Sequence, residues 1–110
     1  MNVLISSSGR RTSLYQLFAK AVEKYKGEVY CCDADPLAPT LIINSIRSIV
    51  VPRLSDPTFK SKIFDYIISK KIQLIVPTID TELNFYAENK KELNALGCSV
   101  LISESQFVEV

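Results

Sequence analysis

The segment 6–13, Ser-Ser-Ser-Gly-Arg-Arg-Thr-Ser, combines hydroxyls, one glycine and two arginines. Between a strand and a helix, such a loop offers backbone N–H groups and the positive end of the helix dipole to an anion. The arginines add fork-shaped donors for phosphate or carboxylate. The single glycine falls short of the Gly-x-Gly-x-x-Gly pattern of dinucleotide sites. A turn with a serine or threonine cap and solvated arginines therefore stays an alternative.

Two further segments carry acids. Asp33 and Asp35 precede a proline, where a dinucleotide-binding fold keeps the acid that accepts ribose hydroxyls, although aspartates before proline also build turns. In the segment 77–82, Pro-Thr-Ile-Asp-Thr-Glu, Asp80 or Thr81 could simply cap the next helix. If all three segments meet at one edge of a sheet, they predict a polar pocket for a zwitterion. The candidate substrate-binding residues are Ser7, Ser8, Gly9, Arg10, Arg11, Asp33, Asp35, Thr78, Asp80 and Glu82.

Composition excludes several classes of protein. A chain of 110 residues is the size of one domain. Its charge of +1, with scattered basic residues, predicts no nucleic-acid or membrane surface. Without histidine and without a Cys-x-x-Cys pair it lacks zinc ligands and a histidine acid–base group, so no catalytic residue and no metal ligand is predicted. Three cysteines in or beside apolar runs, with neither a leader nor a spanning segment expected, indicate a reducing, cytoplasmic location.

Five short apolar runs without alternation predict strands that are covered on both faces. They occupy residues 3–5, 29–32, 49–51, 74–76 and 100–102. Since right-handed crossovers return the chain to the same end of the sheet, the strands should be parallel. The pattern predicts a three-layer α/β/α sandwich with strand order 3-2-1-4-5.

Helices are predicted between these runs. An apolar stripe over 14–25 predicts a first helix that Gly27 ends in a left-handed conformation. A second helix should open at Asp56-Pro57 and end near Lys70-Lys71. A third should run from 80 or 81 to Leu96, closed by Gly97. The connection 33–48 allows only a short helical turn over 40–44, and the segment 103–106 begins another helix, as if the chain continued.

Three segments together resemble the amino-terminal, pre-ATP-grasp domain of carbamoyl-phosphate-synthase-like ATP-grasp ligases. They are 2–11 (NVLISSSGRR), 33–39 (DADPLAP) and 76–82 (VPTIDTE), and the resemblance covers the whole chain in order. It implies a Rossmann-like domain over 1–102 and, over 103–110, the start of a helix leading to ATP-grasp lobes. In that family, those lobes grip ATP and Mg²⁺ to activate a carboxylate as an acyl phosphate, which an amine then attacks.

The resemblance also implies roles for loop residues. Ser8, Gly9, Arg10 and Arg11, with Asp80 and Glu82, would face the acceptor substrate rather than the nucleotide. The domain alone should not turn over ATP. Its expected partners are a small-molecule substrate and the ATP-grasp lobes of the same chain, and a homodimer is left open.

Two other classes of function compete with this interpretation. In a stand-alone nucleotide-binding or regulatory module, Asp33 would hold a ribose and the Arg10-Arg11 loop a phosphate. In a pure interaction domain, an exposed apolar stripe would be required, and the sequence gives none.

Overall fold

Five parallel strands form the centre of the molecule. The computed structural model describes residues 1–9, 11–24 and 26–101. The strands are β1 (Val3–Ser6), β2 (Val29–Asp33), β3 (Ser48–Val50), β4 (Leu74–Pro77) and β5 (Ser99–Val100). They pair in the order β3-β2-β1-β4-β5, and all four pairings are parallel. The predicted Rossmann-like α/β fold and its strand order are confirmed.

Helices cover both faces of this sheet. They are α1 (Thr12–Glu23), α2 (Pro39–Ile43), α3 (Phe59–Ser69), α4 (Asp80–Glu88) and α5 (Lys90–Ala95), with a 3₁₀ turn at Ser45–Arg47. One apolar core joins β1, β2 and β4 to α1 and α2, and it includes Val3, Ile5 and Val22. The other core joins the sheet to α3, α4 and α5, and it includes Leu4 and Ile63. In the described ranges, no helix is long and apolar enough to cross a membrane.

The first helix ends differently from the prediction. Lys26, not Gly27, takes the left-handed conformation, with φ of 55°. The N–H of Gly27 donates to the carbonyl of Val22 at 3.1 Å, which satisfies a carbonyl of the last turn. Gly27 is required for another reason: a Cβ there would lie 1.6 Å from the carbonyl oxygen of Met1. Tyr25 of the predicted stripe and the predicted helix at 103–106 lie outside the described residues.

The second helix begins later than predicted. The Asp56 carboxylate accepts hydrogen bonds from the N–H of Thr58 at 2.8 Å and from its hydroxyl at 2.7 Å, which forms a turn ahead of the helix. The helix itself begins at Phe59, so the proposed opening at Asp56-Pro57 is wrong by two to three residues. Its end at Ser69 agrees with the prediction, and Lys71 takes the left-handed position there, with φ of 53°.

The third predicted helix is two helices. Asn89 separates them, since its side-chain amide donates to the carbonyl of Phe85 at 2.8 Å and so competes with the helical backbone pattern. Gly97 ends α5 as predicted, with φ of 79°. The short helix predicted over 40–44 is present as Pro39–Ile43.

One sheet edge is more apolar than predicted. Ile42, Ile43, Ile46 and Val50 are exposed along α2, the 3₁₀ turn and the edge strand β3, and Ile46 is the most exposed of them at 88%. The expectation that no apolar stripe reaches the surface is therefore wrong at this edge. A continuous apolar run does not tell an edge strand such as β3 from a central strand. The pattern of residues 33–48 does not show which of their apolar side chains are exposed.

Candidate functional site

An open groove of about 940 Å³ lies at the carboxyl ends of the strands. Four loops form it, those that follow β1, β2, β3 and β4. This is the edge where open α/β sheets bind their ligands. Its lining residues are Ser7, Asp33, Ala34, Asp35, Pro36, Val51, Pro52, Arg53, Leu54, Ser55, Phe59, Ile79, Thr81 and Glu82.

A buried carboxylate organises the floor of the groove. Glu82, in the first turn of α4, is only 4% exposed. One carboxylate oxygen accepts a hydrogen bond from the hydroxyl of Ser6, and the other accepts one from the hydroxyl of Ser7. Ser6 also lies 2.7 Å from the hydroxyl of Tyr86, one turn further along α4. The contacts tie the end of β1 to the start of α4.

The pKa of Glu82 is raised above its ordinary value. Burial is the main cause, because removing the carboxylate from water disfavours its charged form. The hydrogen bonds from Ser6 and Ser7 lower the pKa, and the negative charge of Asp33 raises it. Glu82 is therefore a buried acid at the floor of the groove, with both oxygens already accepting hydrogen bonds.

The backbone after β1 is held in an unusual conformation. Ser7 has φ of 54° and Gly9 has φ of 45°, both in the left-handed region. That region costs a residue with a side chain about 1–2 kcal/mol, and the bond from Ser7 to Glu82 helps to offset the cost. The hydroxyl of Thr78 lies 2.9 and 2.6 Å from the carbonyl oxygens of Ser6 and Ser7, which fixes the same turn from β4.

Ser8 supports the loop from inside. It is fully buried, its N–H donates to the carbonyl of Cys32 at 3.1 Å, and its hydroxyl lies 2.6 Å from that of Thr40. The Thr40 hydroxyl donates to the carbonyl of Gly9 at 3.0 Å. These contacts join the first loop to α2, so Ser8 shapes the groove without lining it.

Asp33 and Asp35 form two successive turns. Asp33 accepts from the N–H of Gly9 at 2.8 Å through one oxygen and from the N–H of Asp35 at 2.9 Å through the other. Asp35 accepts from the N–H of Leu37 at 2.9 Å. Both carboxylates also line the groove. Because a carboxylate has about four lone-pair sites, each acid keeps capacity for a ligand while it holds its turn.

The predicted site residues thus fall into three groups. Ser7, Asp33, Asp35 and Glu82 line the groove, whereas Ser8, Gly9 and Thr78 support it. Arg11 is exposed at the N-terminal end of α1 and is not among the lining residues. Arg10 lies outside the described residues, and of Asp80 the structure describes the backbone, as the first residue of α4.

Capping is not seen at Thr81 or at the start of α1, and the side chain of Asp80 lies outside what the structure describes. The residue that precedes α4 is Ile79, which has no side-chain oxygen, and Thr81 lies inside the helix. Arg11 precedes α1, where it makes no side-chain capping bond.

The loop that follows β3 is not among the predicted site segments, although it lines the groove. Pro52, Arg53, Leu54 and Ser55 line the groove beside the aspartates. Ligands bind at the carboxyl ends of parallel strands, and this loop follows the carboxyl end of β3. The position of the loop after a predicted strand is therefore the one sequence signal that points to it. Residues 52–55 of this loop include no glycine and no acid, so they match no motif for a binding site.

The cysteines lie in the cores and not in the groove lining. Cys31, Cys32 and Cys98 are buried free thiols. Burial, with a smaller contribution from the charge of Glu82, raises the pKa of Cys32 to about 12. Over the described part of the chain, no three acidic or cysteine side chains come close enough together to hold a metal ion.

The fold and the groove define an open α/β domain whose polar site lies at the topological switch point. Comparison with family models assigns it more closely, because residues 3–101 match the PylC-like, N-terminal domain. The chain therefore belongs to the PylC-like N-terminal domain family, the pre-ATP-grasp N-terminal domain of ATP-grasp ligases. A search of curated proteins finds no match. The resemblance drawn from the three loop segments is confirmed.

Proposed function

We propose that this domain forms the substrate-side wall of the cleft of an ATP-dependent ligase that activates a carboxylate as an acyl phosphate for attack by an amine. One observation carries the proposal: a domain of the PylC-like N-terminal family has an open polar groove at the carboxyl ends of its strands. At this edge of the sheet, the groove can present an acceptor substrate to the ATP-grasp lobes that we place opposite it.

The groove suits a small polar substrate with an amino group. Asp33 and Asp35 offer carboxylate oxygens to an ammonium or to hydroxyls, and each is held by backbone N–H donors. Held acceptors cost little to order when a ligand binds. In this account the domain binds and orients its substrate, and orientation alone can lower the barrier of a bimolecular step by several kcal/mol, up to about 7–11.

We place ATP and Mg²⁺ on the ATP-grasp lobes of the same chain. Among the described residues, no group of three acidic or cysteine side chains could hold a metal ion. ATP supplies the phosphoryl group that activates the carboxylate, and the residues of this domain hold neither ATP nor metal. We also propose a cytoplasmic location, since three free thiols fit a reducing compartment.

The rival function, a nucleotide-binding module, finds less support in the contacts. In that module, Asp33 would hold a ribose with its remaining lone pairs, and the arginines of the first loop would hold a phosphate beside it. Arg11 is not among the residues that line the groove beside Asp33. Saturable binding of NAD or NADP to the domain would favour the rival.

ATP hydrolysis tests the proposal. Release of ADP and phosphate would be measured with Mg²⁺, ATP and a panel of amino acids and small carboxylates. The domain would be assayed alone and joined to its ATP-grasp lobes. We expect acid-dependent release by the joined form alone. No release by either form would contradict a ligase role.

A further inference from the structure

Arg53 is an exposed residue at one wall of the groove, and the backbone on both sides of it is anchored. Before it, the N–H of Val51 donates to the carbonyl of Asp33 at 3.0 Å, and Val51 is buried. After it, Leu54 packs against the apolar core, and the N–H of Asp56 closes a turn on the carbonyl of Arg53 at 2.9 Å. The loop is therefore anchored on both sides of Arg53, so its backbone position is fixed.

The charge of Arg53 stands out in this groove. Of the described charged side chains that line it, Asp33, Asp35 and Glu82 are acidic and only Arg53 is basic. No described residue pairs with its guanidinium. By contrast, Arg47 at the β3 edge pairs with Glu28 at 2.9 Å. The guanidinium of Arg53 has no partner among the described residues, and Asp33 and Asp35 beside it keep lone pairs for a ligand. The arrangement is suited to a ligand that carries charges of both signs.

We propose that Arg53 binds the carboxylate of the acceptor substrate and so determines specificity, while Asp33 and Asp35 receive its ammonium group. This inference rests on the proposed function, because it assigns the ligand of the same groove. A carboxylate fits better than a phosphate: the guanidinium fork matches both, but a second negative charge would be repelled by the two aspartates. Arg53 thus acts by binding and orienting, and it takes no part in bond making.

The test uses the 110-residue chain and probes that differ only in the carboxylate. Glycine, L-alanine, L-serine, L-lysine and L-glutamate, each with its carboxamide, would be titrated by amide-resolved NMR. Three proteins would be compared: the wild type, Arg53→Gln and the control Arg47→Gln, which removes an arginine outside the groove lining. The readout is the dissociation constant from shifts at Ser7 and Asp33.

In the wild type, we expect at least one amino acid to bind about tenfold or more tightly than its carboxamide, the effect of one charge-assisted contact. Arg53→Gln should remove this preference, and Arg47→Gln should keep it. If the preference survives in Arg53→Gln, the proposed role of Arg53 is wrong, but the proposal that the groove binds the substrate is retained. If no probe changes the chemical shifts of the groove residues, the proposal that the groove binds the substrate is refuted, and so is the role of Arg53.

Discussion

Replacement of Glu82 by alanine should destabilise the domain by about 2 kcal/mol at pH 7. The change removes the hydrogen bonds that the carboxylate accepts from Ser6 and Ser7. Hydrogen bonds to a charged group are worth about 1.5–3 kcal/mol each, so the gross loss is about 3–6 kcal/mol. Burial of the charged carboxylate is unfavourable, which is why the pKa of Glu82 is raised in the native domain. The alanine variant no longer buries this charge, and this gain offsets a large part of the lost hydrogen-bond energy. Ser6 keeps its contact with Tyr86, which limits the damage further.

Urea denaturation followed by circular dichroism measures this loss, and a melting curve should show a fall of about 8–16 °C. The matched control is Glu88→Ala on the same helix, because Glu88 is exposed. The control should stay within about 0.5 kcal/mol of the wild type. Equal stabilities for the two variants would refute the view that Glu82 ties the first loop to α4.

Three further predictions concern pH, backbone space and thiol reactivity. Because the pKa of Glu82 is raised on folding, protonation favours the native state, and this contribution is lost as pH rises from the ordinary value of 4.5 through the native pKa. Relative to Glu82→Gln, the wild type should therefore lose stability over that range of pH in urea titrations, and a pH-independent difference would contradict this. Gly27→Ala should lower the free energy of unfolding by about 3 kcal/mol, because the added Cβ would lie 1.6 Å from the carbonyl oxygen of Met1. Gly97→Ala, where the space is open but φ is positive, should lower it by about 1 kcal/mol. Equal losses for the two variants would argue against the close approach at Gly27. Cys32 and Cys98 are buried, with pKa values of about 12 and 11, so a thiol reagent at pH 8 should label them only on unfolding, and rapid labelling of the native protein would show that they are accessible.

The strands and their order could be predicted from the sequence because they rest on strong, general signals. Continuous apolar runs mark strands that are covered on both faces, and right-handed crossovers leave few orders for five of them. The same rules place the acids that end β2 or follow it, and those that follow β4, at one edge together with the loop that follows β1. Those loops do meet at a groove.

The details of the loops depend on contacts that no local pattern reveals. Ser6, Ser7 and Ser8 look alike in sequence, yet Ser7 lines the groove while Ser6 and Ser8 are fully buried. Their roles depend on partners such as Glu82, 76 residues away from Ser6 in the chain. Likewise, nothing in the composition of the segment after β3 marks Arg53 as a groove residue.

Helix ends were also difficult to place. Lys26 and Lys71 occupy left-handed positions where glycine or asparagine is the usual choice. Asn89 interrupts a stripe of apolar residues that otherwise reads as one helix, because its side chain bonds to the carbonyl one turn back.

If the groove receives the acceptor substrate and not the nucleotide, loss of one groove charge should weaken binding of the substrate alone. Steady-state kinetics of the domain joined to its ATP-grasp lobes, wild type against Asp35→Asn, test it most directly. The asparagine oxygen can still accept from the N–H of Leu37, so the turn is kept while the charge is lost. The account predicts that KM for the amine-bearing substrate rises about tenfold or more while KM for ATP stays unchanged. A rise in KM for ATP, with KM for the substrate unchanged, would contradict it.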